Sequence, residues 1–140
     1  MIREATRADV PFILERGRAF FEYSPWATRT EYDEASTRAT IEHLIAAPDG
    51  VIFISEGGVI GGLIFPLYFN ADYRIAQELF WFAPGRGVEL RKAFEAWAKE
   101  RGASAIQMSC LADEREPAMR RLYRIKGYEP IETGLIKEIA

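Results

Sequence analysis

Between Gln77 and Trp97 the spacing of apolar residues changes period, and that change limits the fold more than any other feature. In "QELFWF" the side chains alternate, which sets Glu78, Phe80 and Phe82 on one face of a strand and Gln77, Leu79 and Trp81 on the other. Beyond Pro84, Gly85 and Gly87 the pattern becomes helical: Leu90, Ala93, Phe94, Trp97 and Ala98 recur on one stripe, and Gly102 supplies a stop. A strand that feeds a helix through a short glycine-bearing loop implies a layered α/β fold, with the helix packed back on a sheet.

The rest of the chain extends this pattern. A short strand near Ile2 precedes "TRAD", where Thr6 can cap a helix and Asp9 sits near its positive end. Val10, Ile13, Leu14, Gly17 and Phe21 follow a helical stripe, and Ile41, Leu44 and Ile45 mark a second helix ended by "APDG". "VIFIS" and "VIGGLIFPLYF" read as strands joined by the turn "EGG". "AIQMSCL" is a further strand, a last helix starts near Pro117 and stops at Gly127, and "ETGLIKEI" reads as a closing strand. The expected order is strand, two helices, three strands, helix, strand, helix, strand. No repeat, low-complexity tract or linker interrupts it, so residues 1–140 read as one domain. At 49% hydrophobic residues, a chain of 140 can bury a substantial core.

Bulk chemistry narrows the function classes. A net charge of −3 leaves no electrostatic footprint for nucleic acid. The longest apolar run is about half a membrane-spanning length and contains glycines and a proline, so no membrane partner is expected. "MIREATRADV" lacks the apolar core of a signal peptide, and the single Cys110 cannot form an internal disulfide. A cytoplasmic protein is expected. His43 is the only histidine and has no ligating neighbour in sequence, so no metal site is expected; Cys110 alternates with Ile106 and Met108 as a packing residue would.

Several segments together resemble the GNAT superfamily of N-acetyltransferases. "QELFWF" is similar to that family's fourth strand, "GRGVELRKAFEAWAKERGA" to its pyrophosphate loop and helix, and "AIQMS" to its fifth strand. "AMRRLYRIKGYEPI" is similar to the family's helix ending in Leu-Tyr with a Gly-aromatic step, and is the most specific of these motifs. The resemblance covers essentially the whole chain and is sharpest over residues 77–128. It implies a mixed, mostly antiparallel sheet flanked by helices, and direct transfer of an acetyl group from acetyl-CoA to a primary amine, without a metal. The pattern departs from the family in two places. The loop after Pro84 is short, with Phe82 where a basic residue is usual, and Glu116 stands near the position of a frequent asparagine. These departures favour an alternative, a non-catalytic CoA-binding or regulatory protein on the same fold; an interaction protein whose aromatic segment binds another chain is a further one.

The chemistry assigns roles within that resemblance. Amides at a helix start form an anion site. Gly85, Gly87 and Val88 would leave the backbone accessible to a pyrophosphate, and Arg86 would add a charge-assisted bond. Alternatively, the glycines only turn the chain. Phe82 and Ala83, taken as the place where the fourth strand parts from the fifth, would offer amides to the thioester carbonyl and to pantetheine. Tyr123 is the expected proton donor to the departing thiolate, or else a packing aromatic. Glu78, among Phe80, Trp81 and Phe82, is the expected base, its pKa raised by desolvation, unless it is paired or faces water. The segment "FFEYSPWATRTEYDE", with Glu22, Tyr23 and Trp26 and the further carboxylates Glu31, Asp33 and Glu34, suits a cationic small-molecule or peptide amine through cation–π contact and ion pairing. It equally fits a surface connection or a homodimer patch.

Overall fold

The computed structural model describes residues 1–85 and 87–139. The chain divides into two compact units, Met1–Ser109 and Cys110–Ala140. The first contains β1 (Arg3–Glu4), α1 (Val10–Tyr23), α2 (Glu34–Ala46), β2 (Gly50–Ile54), β3 (Val59–Leu67), β4 (Asn70–Phe82), α3 (Gly87–Glu100) and β5 (Ala105–Gln107). The strands form one sheet in the order β1-β2-β3-β4-β5; every neighbouring pair is antiparallel except β4 and β5, which run parallel.

Local chemistry starts the first two helices and closes the first hairpin. Asp9 accepts the Thr6 N–H at 2.8 Å and holds the Arg3 guanidinium through two bonds of 2.8 Å, which ties the end of β1 to the entry of α1. Asp33 accepts the Ser36 N–H at 3.0 Å and caps α2. Gly58 closes the β2–β3 turn by donating to Ser55 Oγ at 3.0 Å, while its carbonyl accepts the Ser55 N–H at the same distance.

Strand alternation divides the core into two layers. Val10, Ile13, Leu14, Ile41 and Leu44 of α1 and α2 pack with Ile52, Ile54 and Val59 on one face of the sheet. Leu90, Phe94, Trp97 and Ala98 of α3 pack with Val51, Ile60, Ile64 and Ala76 on the other. Phe94 is fully buried; a side chain of that kind contributes roughly 1.5–3 kcal/mol through burial alone.

The ladder between β3 and β4 slips once near its middle. Gly61 stands opposite Phe80 and Gly62 opposite Glu78, so Leu79 is an extra residue. The bulge inverts the alternation expected for "QELFWF". Glu78 keeps the face of Ala76 and shares it with Trp81, toward α3, whereas Phe80 and Phe82 turn toward α1 and α2. Both glycines opposite the bulge are crowded. A Cβ on Gly61 would run into the Phe80 ring, and one on Gly62 would strike the Gln77 carbonyl and lie 2.8 Å from Phe94.

A second correction concerns the fork in the sheet. Pairing between β4 and β5 ends at Gln77–Gln107, so the strands part there and not at Phe82–Ala83. Phe82 is instead laddered to Val59 of β3. β5 is too short to follow β4 beyond its bulge.

In the second unit, α4 (Glu116–Ile125) has Pro117 in its first turn and an Arg120–Glu116 ion pair of 2.7 Å. Gly127, at φ +92°, ends it. The expected closing strand is not formed: no strand occurs among the described residues after α4, and Ile131, Leu135 and Ile139 are exposed. Strand-forming residues make a strand only where a ladder partner is available, and no described strand pairs with this segment.

Candidate active site

The fork between β4 and β5 encloses a carboxylate. Glu78 follows the last residue of β4 that pairs with β5 and is 6% exposed. Its Oε1 accepts the Ser109 N–H at 3.1 Å, across the gap where β5 has ended. The neighbouring Gln77 side chain donates to the Glu78 carbonyl at 2.7 Å and fixes the backbone there. Burial pushes the Glu78 carboxyl up to about 7, while the Ser109 amide pulls the other way. Desolvation prevails, because one hydrogen bond replaces only part of a lost hydration shell. A carboxylate poised near neutrality can take a proton from a substrate and return it.

Past Glu78, β4 runs on through Leu79–Phe82 with no strand beside it on the side β5 has left, among the described residues. Leu79, at the bulge, is 48% exposed. A bulged strand whose outer edge has lost its neighbour offers amides that an extended, amide-bearing ligand can pair with.

The chain then enters α3. Gly85 has φ +105°, a backbone that favours glycine, and the space where its side chain would be is open. Gly87 is the first residue of α3, and a methyl group there would lie 3.1 Å from Trp81 Cζ2. The two glycines therefore differ: Gly85 turns the chain beside open space, whereas Gly87 lets the helix start rest against the indole. Val88 is exposed in the first turn and Ala83 is partly buried against the α3 layer. The first amides of a helix lack intrahelical partners and point outward, so the surroundings of Gly85 fit an anionic group. Arg86, expected to assist, lies outside the described residues.

Two concavities lie against α1 and α2. An open hollow of about 330 Å³ is lined by Phe21, Trp26, Thr30, Glu31, Tyr32, Asp33, Ser36 and Thr37. It gathers aromatic rings and two carboxylates from the segment expected to meet a cationic amine. Trp26 is among them; Glu22 and Tyr23 sit exposed in the last turn of α1 and do not line it. Tyr32 holds the hollow in place. Its hydroxyl donates to the Leu14 carbonyl at 3.1 Å, and the Arg18 guanidinium covers its ring at 4.6 Å. A smaller cavity of about 60 Å³ lies between Ile13, Arg16, Gly17 and Phe20 of α1, Thr37 and Ile41 of α2, and Val59, Phe80 and Phe82 of the sheet. Sequence reading did not find it, because Phe80 and Phe82 reach that face only through the bulge. The doublet "GG" inside an apolar strand was the available signal.

Tyr123 is the buried residue of α4. Its ring meets Tyr128 edge-on at 5.3 Å, and its carbonyl accepts the Tyr128 N–H at 3.0 Å, so the "LYRIKGY" motif folds back on itself.

No protein-family model matches the sequence, and no curated protein matches it either. Solved structures do match in fold. A structure described as a transcriptional regulator from Bacillus halodurans C-125 shares 20% identity, with 99% of each chain covered and a TM-score of 0.72. A predicted acetyltransferase from Clostridium acetobutylicum, solved with acetyl-CoA, shares 16% identity over 99% of this chain and 95% of its own, at a TM-score of 0.72. The aminoglycoside 6'-N-acetyltransferase of Acinetobacter haemolyticus shares 14% over 100% and 98%, at 0.69. The fold is that of the GNAT N-acetyltransferases. Among the described residues no helix is long and apolar enough to cross a membrane.

Proposed function

We propose that the chain transfers an acetyl or other short acyl group from an acyl-CoA to a primary amine on a small molecule or peptide, by direct attack and without a covalent enzyme intermediate. The observation that carries this reading is the buried carboxylate of Glu78 at the fork of the sheet, with a pKa of about 7. The amine sheds its ammonium proton to solvent, and its free lone pair bonds to the acyl carbon while Glu78 takes a proton from the nitrogen. The carbon–sulfur bond then breaks, and the departing thiolate gains a proton, the role that the "LYRIKGY" motif suggests for Tyr123; Glu78 gives its proton back to solvent and Tyr123 regains one from it. Amides along Leu79–Phe82 would accept the pantetheine arm and polarise the carbonyl. The backbone around Gly85 and the first turn of α3 would hold the pyrophosphate. The hollow containing Trp26, Glu31 and Asp33 would receive a cationic acceptor.

Release of free thiol from acetyl-CoA, followed across a panel of polyamines, amino sugars, amino acids and peptides, tests the reading. Turnover with at least one amine is expected, as is its loss in Glu78→Gln. A second reading, a regulatory protein on the same fold, is supported by the short loop and by the neighbour described as a transcriptional regulator. Binding of CoA with no thiol release from any amine would favour it.

A further inference from the structure

The 60 Å³ cavity has no role in the chemistry above. Its wall is apolar; even Arg16, whose guanidinium is bonded to Glu15 at 2.9 Å, contributes its carbon stem. Protein interiors are packed closely enough that voids larger than a water are few. A void with an apolar wall stays dry, so it is not held open by a bound water.

Its position bears on the proposed reaction. Phe80 and Phe82 form part of its wall and belong to the stretch of β4 beyond the fork, whose outer edge the reading above assigns to the thioester. The bulge at Leu79 sends these two rings to the α1/α2 face and away from Glu78. Thr37 stands in the wall of both this cavity and the acceptor hollow. The cavity thus shares Phe80 and Phe82 with the strand whose outer edge is assigned to the thioester, and Thr37 with the acceptor hollow, so the tail of an acyl group bound between them would have this apolar space within reach.

Size sets the length of that tail. A dry cavity of about 150 Å³ accommodates the six carbons of benzene, roughly 25 Å³ for each. On that scale about 60 Å³ takes two carbons. We infer that the cavity receives the alkyl end of the acyl donor, which is then an uncharged three- or four-carbon acyl-CoA in preference to acetyl-CoA. This inference rests on the acyltransferase reading.

Calorimetric titration of the full chain with CoA and its acetyl, propionyl, butyryl, pentanoyl, hexanoyl and succinyl thioesters, with no amine present, tests it. Affinity is expected to rise about fourfold per added methylene up to butyryl, to fall back at hexanoyl, and to be weaker for charged succinyl than for butyryl. Val59→Ile, which adds a methylene to the wall, is expected to bring the butyryl-to-acetyl ratio toward one. Ile41→Val, which removes one, is expected to extend the rise by one carbon. Melting curves establish that both variants fold, and the wild-type series and Ile41→Val decide the matter if Val59→Ile does not. Equal affinity for all thioesters, or a rise that neither variant alters, overturns the cavity assignment and leaves the acyltransferase reading standing. Absence of binding to CoA and to every thioester overturns both.

Discussion

Ser109 donates its backbone N–H to Glu78 Oε1 at 3.1 Å, one step beyond the last β4–β5 pair, Gln77–Gln107. The side chain of one strand thus occupies the place that a ladder hydrogen bond would have taken. This contact holds a carboxyl in a site where burial raises its pKa to about 7. A base with that pKa gives kcat/KM an acidic limb: the rate is expected to climb with pH through about 7 and then level. Glu78→Gln is expected to lower the rate by about 10²–10⁴-fold and to abolish that limb. A variant profile with the limb intact would remove Glu78 from the role.

The same shift makes a stability prediction with a definite sign. The folded carboxyl titrates at about 7 and the unfolded one near its ordinary 4.5, so between these values the folded chain binds more protons. Stability from this group is complete below about pH 4.5 and is lost as pH rises through 7. Glu78→Gln has no charge to desolvate, so it should match the wild type near pH 4.5. Above pH 8 it should exceed the wild type by on the order of 3 kcal/mol. Urea denaturation of both proteins across this range measures the difference; a constant offset would contradict the assignment.

Gly61 and Gly62 predict two different kinds of damage. A methyl group on Gly61 meets the movable ring of Phe80, whereas one on Gly62 meets the Gln77 backbone carbonyl as well as Phe94. Each alanine substitution is expected to cost about 1–3 kcal/mol or more. Gly61→Ala should be partly rescued by Phe80→Leu. Gly62→Ala should not be rescued by Phe94→Leu, because the carbonyl stays in place. Thermal midpoints of the four variants provide the check.

Tyr32 predicts an effect on the acceptor hollow. Its hydroxyl bonds the Leu14 carbonyl at 3.1 Å. Tyr32→Phe is expected to cost about 0.5–1.5 kcal/mol. It should also raise amide hydrogen exchange in residues 24–33 above that in the sheet. Unchanged exchange in that segment would show that the hollow is held by other contacts.

What the sequence conveyed and what it withheld have physical reasons. The helical stripes through Ile13 and Leu14, Ile41 and Leu44, and Leu90 and Phe94 were legible because each helix buries one face, and these residues form the two core layers. Asp9 and Gly102 were legible because caps and stops are local. Alternation assumes an unbroken ladder and so assigns Glu78 and Phe80 to one face; the bulge that separates them is a property of two paired strands, not of one. The family resemblance sets the fork at Phe82–Ala83, and nothing in "AIQMSCL" shows that pairing stops at Gln107. The closing strand failed for a related reason, since propensity is local and pairing is not. Glu78 itself was legible as a carboxylate among aromatics, but its Ser109 partner, brought in from beyond β5, was not.

The central claim is that Glu78 is a buried carboxyl poised near neutrality at the parting of β4 and β5. Carbon-13 NMR of the glutamate side-chain carboxyls, titrated from pH 4 to 9 and assigned by comparison with Glu78→Gln, reads this directly and needs no knowledge of the acceptor. A Glu78 resonance with a midpoint near 7 is the predicted result. A midpoint near 4.5, in line with the exposed glutamates, would contradict it.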